Sequence, residues 1–169
     1  MKYLLPLLLL LGVSPTLSAQ IEWLSWEEAV ERSKTEPKKL LVDVYTDWCG
    51  WCKRMDKTSF SDKAVVAYVN ENFYAVKLDA EQQATIVYDG HQFDYDASVG
   101  RRGVHQLAVA LLDGRMSYPS IVYLDDEQHR ITISPGFKPA ENLLQELRYI
   151  GGGHYTSLSF EDYLKQQSK

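Results

Sequence analysis

Cys49 and Cys52 are the two cysteines of the chain, set as Cys49-Gly50-Trp51-Cys52 inside the stretch DWCGWCK. Thiols at that spacing can exchange disulfides, staple a short loop or supply half of a metal site, and the backbone beneath them decides which. Residues 40–45, Leu-Leu-Val-Asp-Val-Tyr, form a short apolar, β-branched run that reads as a buried strand and stops at the motif. A helix is expected over 50–57. A strand feeding straight into a helix places Cys49 at the helix N-terminus, where unpaired N–H groups and the positive end of the dipole favour a thiolate. The thiolate is the nucleophile, and such a setting lowers a cysteine pKa from about 8.5 to about 3.5–7.5. Cys52, one turn further on, shares the face and is expected to be the more shielded of the two. Cys49 is therefore assigned the attack and Cys52 the resolution of the mixed disulfide.

The two other uses compete less well. A bridge across so short a loop removes little entropy from the unfolded chain, so it is a poor staple. A zinc site needs two further ligands, and His91, His105, His129 and His154 are scattered without the spacing of a metal pair. Asp89, His91, Asp94 and Asp96 invite a metal reading as well, but a hairpin turn and acidic loop residues explain them more simply. No metal and no cofactor beyond a redox-active Cys49–Cys52 disulfide is expected.

The elements that must position this pair are legible on both sides of it. Ser25-Trp26-Glu27-Glu28 is a capping box opening a helix to about residue 34. Ser61-Asp62 can cap another, with Val65, Val66 and Val69 at helical spacing, and 73–78 reads as a strand. Asp89-Gly90 joins strand-like pieces over 85–88 and 91–95 as a hairpin. Residues 103–112 look helical, 121–124 and 130–133 read as antiparallel strands around a turn, and Pro139 opens a last core helix stopped by Gly151-Gly152-Gly153. The order implies an α/β fold with a mixed sheet and helices on both faces.

The first residues set the compartment. Met1-Lys2, an apolar stretch from Leu4 to Val13 and the small residues up to Leu17-Ser18-Ala19 have the layout of a signal peptide, 1–19, cleaved before Gln20. A retained anchor is the competing reading, since Pro6 and Pro15 do not exclude it, but the apolar core is short of the roughly 20 residues of a span. About 150 residues then remain, enough for one domain with a core of its own. The expected division is a domain over 20–153, with 84–102 an inserted hairpin segment, and a docking tail over 154–169 bearing Leu158, Phe160, Tyr163 and Leu164. The formal charge of −5 becomes −6 when Lys2 leaves. With no Lys/Arg run in the chain, nucleic acid is not an expected partner, nor is stable membrane insertion after cleavage.

The stretch LLVDVYTDWCGWCK resembles the active-site segment of the thioredoxin superfamily, with its acid, Trp-Cys and Cys-Lys at the family's spacing. FYAVKLD is similar to the family's third strand, SYPSIVYLD to its cis-proline loop and strand, and PGFKPAENLLQEL to its closing glycine turn and last helix. The resemblance covers about residues 40–150, and TDWCGWCKRMDKTSFSDKAVVAYVNENFYAVKLDAE is most similar to exported thioredoxin-related proteins that pass reducing equivalents. It implies a thioredoxin-like three-layer sandwich with a hairpin insertion. It also implies Cys49 as nucleophile, Cys52 as resolving cysteine, Asp43 as the buried acid that takes the resolving proton, and Lys77 as the basic residue near it. Burial alone argues that Asp43 has a raised pKa. Lys77 could equally point outward from its strand end. By the same resemblance Pro119 is the cis-proline, Tyr118 pairs its backbone with bound polypeptide, Gly136 lets substrate approach, and Trp48, Gly50 and Trp51 face the substrate. A simple core role for Trp48 competes.

The implied activity is thiol–disulfide exchange with proteins by an exported, periplasmic chain, supported by an unidentified redox partner, with reduction or isomerisation favoured over oxidation. A binding or chaperone-like module on the same fold, without obligatory redox turnover, is the alternative. Trp51 stands where thioredoxin has proline, which leaves the reduction potential open over about −270 to −120 mV.

Overall fold

A computed structural model describes residues 20–168. The expected leader over 1–19 lies outside the described residues. A five-stranded sheet is built in the order β1 (Trp23–Leu24), β3 (Phe73–Asp79), β2 (Lys39–Tyr45), β8 (Ser120–Leu124), β9 (Arg130–Pro135). β2 runs parallel to β3 and antiparallel to β8, so the sheet is mixed. Both its faces are covered, which is why β2 reads as a nearly continuous apolar run rather than an alternating one. α1 (Trp26–Thr35) and α4 (Gln106–Leu111) cover one face with Ala29, Leu107 and Ala108 against Leu40, Val42 and Val44. α2 (Gly50–Lys57), α3 (Lys63–Asn72) and α5 (Ala140–Gly151) cover the other with Met55, Val69, Leu143 and Leu147 against Leu41 and Ile121.

The local signals that place these elements are visible in the caps. Ser25 and Glu28 form the reciprocal capping box of α1, and Asp62 accepts from the backbone N–H groups of Ala64 and Val65 at the start of α3. Pro139 is the N-cap of α5, and α5 runs on to Gly151, one residue into the triple glycine. In the tail, α6 (Phe160–Gln167) docks Tyr163 against Tyr149 of α5, with ring centroids 5.4 Å apart.

The inserted region departs from its sequence reading. The hairpin is β4 (Ile86–Tyr88) with β5 (His91–Phe93), and it stops there. Tyr95–Asp96 forms β6 instead, paired with β7 (Val104–His105), where a helix start is expected from the sequence. The helical span 103–112 thus shrinks to Gln106–Leu111. The physical reason is His105: its Nδ1 accepts from Leu107 N–H and caps the helix, while its backbone N–H donates to Ala80 and Nε2 meets the Ala84 carbonyl at 3.1 Å. A histidine whose backbone N–H and ring are held by Ala80 and Ala84 is drawn out of the helix and sits at its N-cap instead. No helix among the described residues is long and apolar enough to cross a membrane.

Candidate active site

Cys49 is the N-cap of α2, and its Sγ accepts from the Cys52 N–H at 3.1 Å. Cys49 and Cys52 are joined as a disulfide, with Cα atoms 5.3 Å apart. The two are covered almost equally, 5% and 3% exposed, so the expected contrast in shielding is slight in this oxidised state.

An ionic group that ties β2 and β3 to α2, the helix bearing the cysteines, is set by strand alternation and register. Asp43 follows Leu41 on the same face of β2, and that face is the one covered by α2, α3 and α5. Lys77 is its register partner on β3. Lys77 Nζ lies 2.8 Å from Asp43 Oδ2 and also contacts Asp56 Oδ1 on α2, so the ammonium joins a buried carboxylate to a partly exposed one. The competing outward orientation of Lys77 is overturned, because its side chain is only 20% exposed and its Nζ lies over the rings of Tyr45, Trp23 and Phe60 at 4.8, 5.1 and 5.5 Å. Burial lifts the Asp43 pKa to about 6 against the opposing pull of Lys77. Burial lowers that of Lys77, but the Asp43 and Asp56 carboxylates outweigh it and leave the group above its ordinary value. Asp43 Oδ1 is buried with no hydrogen-bond partner, an acceptor left open. A cleft of about 420 Å³ lined by Trp23, Asp56, Phe60 and Lys77 brings solvent to the ammonium side of this group.

Outside the sulfurs the surface is aromatic. Trp48 is 53% exposed and Trp51 is 55% exposed, which corrects the reading of Trp48 as a core residue. Trp48 meets Tyr118 edge-on at 6.1 Å and donates its indole N–H to Glu81 at 2.8 Å. The Tyr118–Pro119 peptide is cis. On the other flank Trp51 lies 5.4 Å from Phe137, and the Arg54 guanidinium sits 5.2 Å from each ring. Gly136, at φ +86°, donates its N–H to the Pro119 carbonyl at 2.7 Å and joins the two loops. That left-handed backbone favours glycine. Gly50 opens α2 with free space around its Cα.

The structure therefore sets Trp48, Cys49, Trp51 and Cys52 at the head of α2, which follows β2, and pairs Asp43 of β2 with Lys77 of β3. It also adds Asp56, Glu81, Arg54 and Phe137, which sequence reasoning passed over. Asp56 stands four residues after Cys52, and Arg54 three after Trp51, so helical spacing could have revealed both. Glu81 and Phe137 are far from their partners in sequence and gave no such signal. The acids of the insertion serve turns: Asp94 accepts from Thr85 and Gln92, and Asp96 from Ser98. No group of three or more His, Cys, Asp or Glu is gathered for a metal among the described residues.

The geometry can be set beside known proteins. The family model Thioredox_DsbH, described as a protein of unknown function, DUF255, matches residues 13–149. An uncharacterized Caenorhabditis elegans protein is 29% identical over 123 residues, which are 72% of this chain and 15% of that protein, so the chain spans under a sixth of that relative. The Disulfide bond reductase DsbH of Chlamydia pneumoniae is 25% identical over 126 residues, covering 74% of this chain and 68% of that one. A thioredoxin-fold protein from Helicobacter pylori superposes with a TM-score of 0.61 at 21% identity, covering 78% and 85% of the two chains, which speaks to the fold. With a mixed sheet covered on both faces and a Cys-x-x-Cys pair at the head of α2, the chain belongs to the thioredoxin-fold DsbH (DUF255) family.

Proposed function

We propose that this chain is an exported thiol–disulfide oxidoreductase that exchanges disulfides with protein substrates through Cys49 and Cys52, in the reducing or isomerising direction. The observation that carries the reading is the Cys49–Cys52 disulfide at the head of α2 above a buried carboxyl with an open oxygen. In the reducing direction, the Cys49 thiolate attacks one sulfur of a substrate disulfide, a mixed disulfide forms, and the first substrate sulfur leaves as a thiolate. Cys52 gives its proton to Asp43, and its sulfur attacks Cys49 Sγ. The second substrate thiolate departs, two electrons have passed to the substrate, and the Cys49–Cys52 disulfide remains for a partner dithiol to reduce. An acid whose pKa lies near neutrality suits that proton transfer, and Lys77 and Asp56 modulate it. Trp48, Gly50, Trp51, Tyr118, Pro119 and Gly136 receive the polypeptide around the reacting sulfur.

The direction is supported by the name of the Chlamydia pneumoniae relative, a disulfide bond reductase. Export, with the periplasm as destination, is supported by the leader-like layout of residues 1–19. Two measurements test the reading. Cys52→Ala should accumulate mixed disulfides through Cys49, and their absence under both oxidising and reducing conditions would sink the exchange mechanism. A glutathione titration should place the potential near about −270 mV, whereas a value near about −120 mV would reverse the direction. The half-exposed Trp48 and Trp51 favour a second reading, a binding or chaperone-like module. Full function of a Cys49→Ser/Cys52→Ser variant in cells would establish it instead.

A further inference from the structure

Trp48 and Tyr118 line, together with residues 99–104 of the insertion and its edge, a groove of about 500 Å³. Trp48, the residue before Cys49, and Tyr118 stand in its lining, Val99, Val104 and Met116 give it apolar surface, and Arg101 and Arg102 stand on it. The segment that carries these arginines is fixed at its roots. Tyr95 and Asp96 pair with His105 and Val104, and the Tyr95 hydroxyl donates to the Arg102 carbonyl. Gly103 takes φ +72°, and a Cβ there would overlap the Tyr95 ring, so the glycine lets the ring close over the backbone.

The charge of the groove runs against that of the molecule. The chain carries −5, yet neither Arg101 nor Arg102 has an ion-pair partner among the described residues. Arg102 instead lies 5.7 Å over the Trp48 ring. The carboxylate of the groove, Glu81, is engaged by the Trp48 indole N–H. Two cations with no carboxylate partner beside an apolar trough, in a groove whose lining includes the residue next to Cys49, match an extended polypeptide with an acidic side chain close to its reacting cysteine.

We propose that this groove selects polypeptide substrates carrying Asp or Glu beside the reacting cysteine, with Arg101 and Arg102 as specificity-determining residues. The assignment rests on the exchange reading above and adds the substrate class to it. An acidic neighbour also gains at the encounter, since a local positive rim on an acidic protein steers complementary segments toward the site.

The test uses three labelled peptides, identical except that the cysteine is flanked on both sides by Glu, Gln or Lys. Binding is measured with the cysteine changed to Ser, and exchange with a disulfide-bonded form. Two solvent-exposed charge contacts predict that the Glu peptide binds about three- to tenfold tighter than the Gln peptide, with Lys weakest. The Glu-to-Gln ratio should fall toward one in Arg101→Gln/Arg102→Gln and as salt is raised to about 1 M. Equal binding of the three peptides, or a ratio unchanged by the double variant, overturns the proposal. Charge-selective binding without exchange of any disulfide form would support the groove and overturn the redox reading, so the two failures are distinguishable.

Discussion

The two sides of the cysteine pair solve opposite problems with the same few elements. The inner side is ionic and buried: Asp43 is 1% exposed, its Oδ2 is held by Lys77 at 2.8 Å, and Lys77 turns also to Asp56. The outer side is aromatic and open, with Trp48 and Trp51 each more than half exposed. Trp48 leans on the Tyr118–Pro119 loop, and Trp51 leans with Arg54 on the Gly136–Phe137 loop. Charge placed inside is expensive and therefore tunes protons. Aromatic surface left outside is a standing contact for a partner, because rigid rings bury much area at little entropic cost. The disulfide lies at the boundary, so the proposed exchange would draw its proton acceptor from one side and its polypeptide from the other.

Substitutions on the two sides should separate these roles. The largest effect falls on the boundary itself: Cys49→Ser should abolish disulfide exchange, measured by trapped mixed disulfides and by reduction of a model protein disulfide. Residual exchange through Cys52 alone would break the assignment of the nucleophile. On the inner side, Asp43→Asn should slow resolution by about 10²-fold near pH 7, the ordinary worth of a positioned proton acceptor, and remove a pH dependence centred near 6. The same variant tests stability. A carboxyl whose folded pKa of about 6 lies above its ordinary 3.8 favours the fold below about pH 4 and loses that contribution as pH rises through about 6. Wild type should therefore lose about 2.4 kcal/mol relative to Asp43→Asn between pH 4 and pH 8, read from urea midpoints of the oxidised forms.

Lys77→Met leaves Asp43 without its cation and should cost about 3 kcal/mol at pH 8, less at pH 5, where the carboxyl takes up a proton. A pH-independent loss would mean that Lys77 acts only through packing against its aromatic neighbours. Smaller still, Trp48→Ala and Trp51→Ala should change stability by about 0.5–1 kcal/mol while lowering kcat/KM for protein disulfides more than for a small disulfide. If either variant lost equally on both substrates, the outer side would be shaping the sulfurs rather than receiving polypeptide.

Much of this site was legible before folding. Cys49, Cys52 and Asp43 lie within ten consecutive residues, and a buried strand running into a capped helix positions all three by local rules. The roles of Tyr118 and Pro119, like the Asp43–Lys77 pairing, came into view through the resemblance. The insertion was read less well. Local pattern favoured a helix from Gly103, but His105 is tied to Ala80 and Ala84, more than 20 residues earlier, and those contacts moved the start of α4 to Gln106.

What the sequence determined by itself is whatever depends on neighbours along the chain: the thiol spacing, the strand-to-helix junction, the caps at Ser25 and Asp62, and the apolar runs that make a sheet covered on both faces. Only the tertiary structure decided the orientation of Lys77, which β2–β3 register sets opposite Asp43, and the exposure of both tryptophans. It alone brought Glu81 to Trp48, Phe137 to Trp51, and Arg101 and Arg102 to a groove lined by Trp48. These contacts are made between elements distant in sequence, and a local pattern holds no information about which surfaces the packed sheet will bring together.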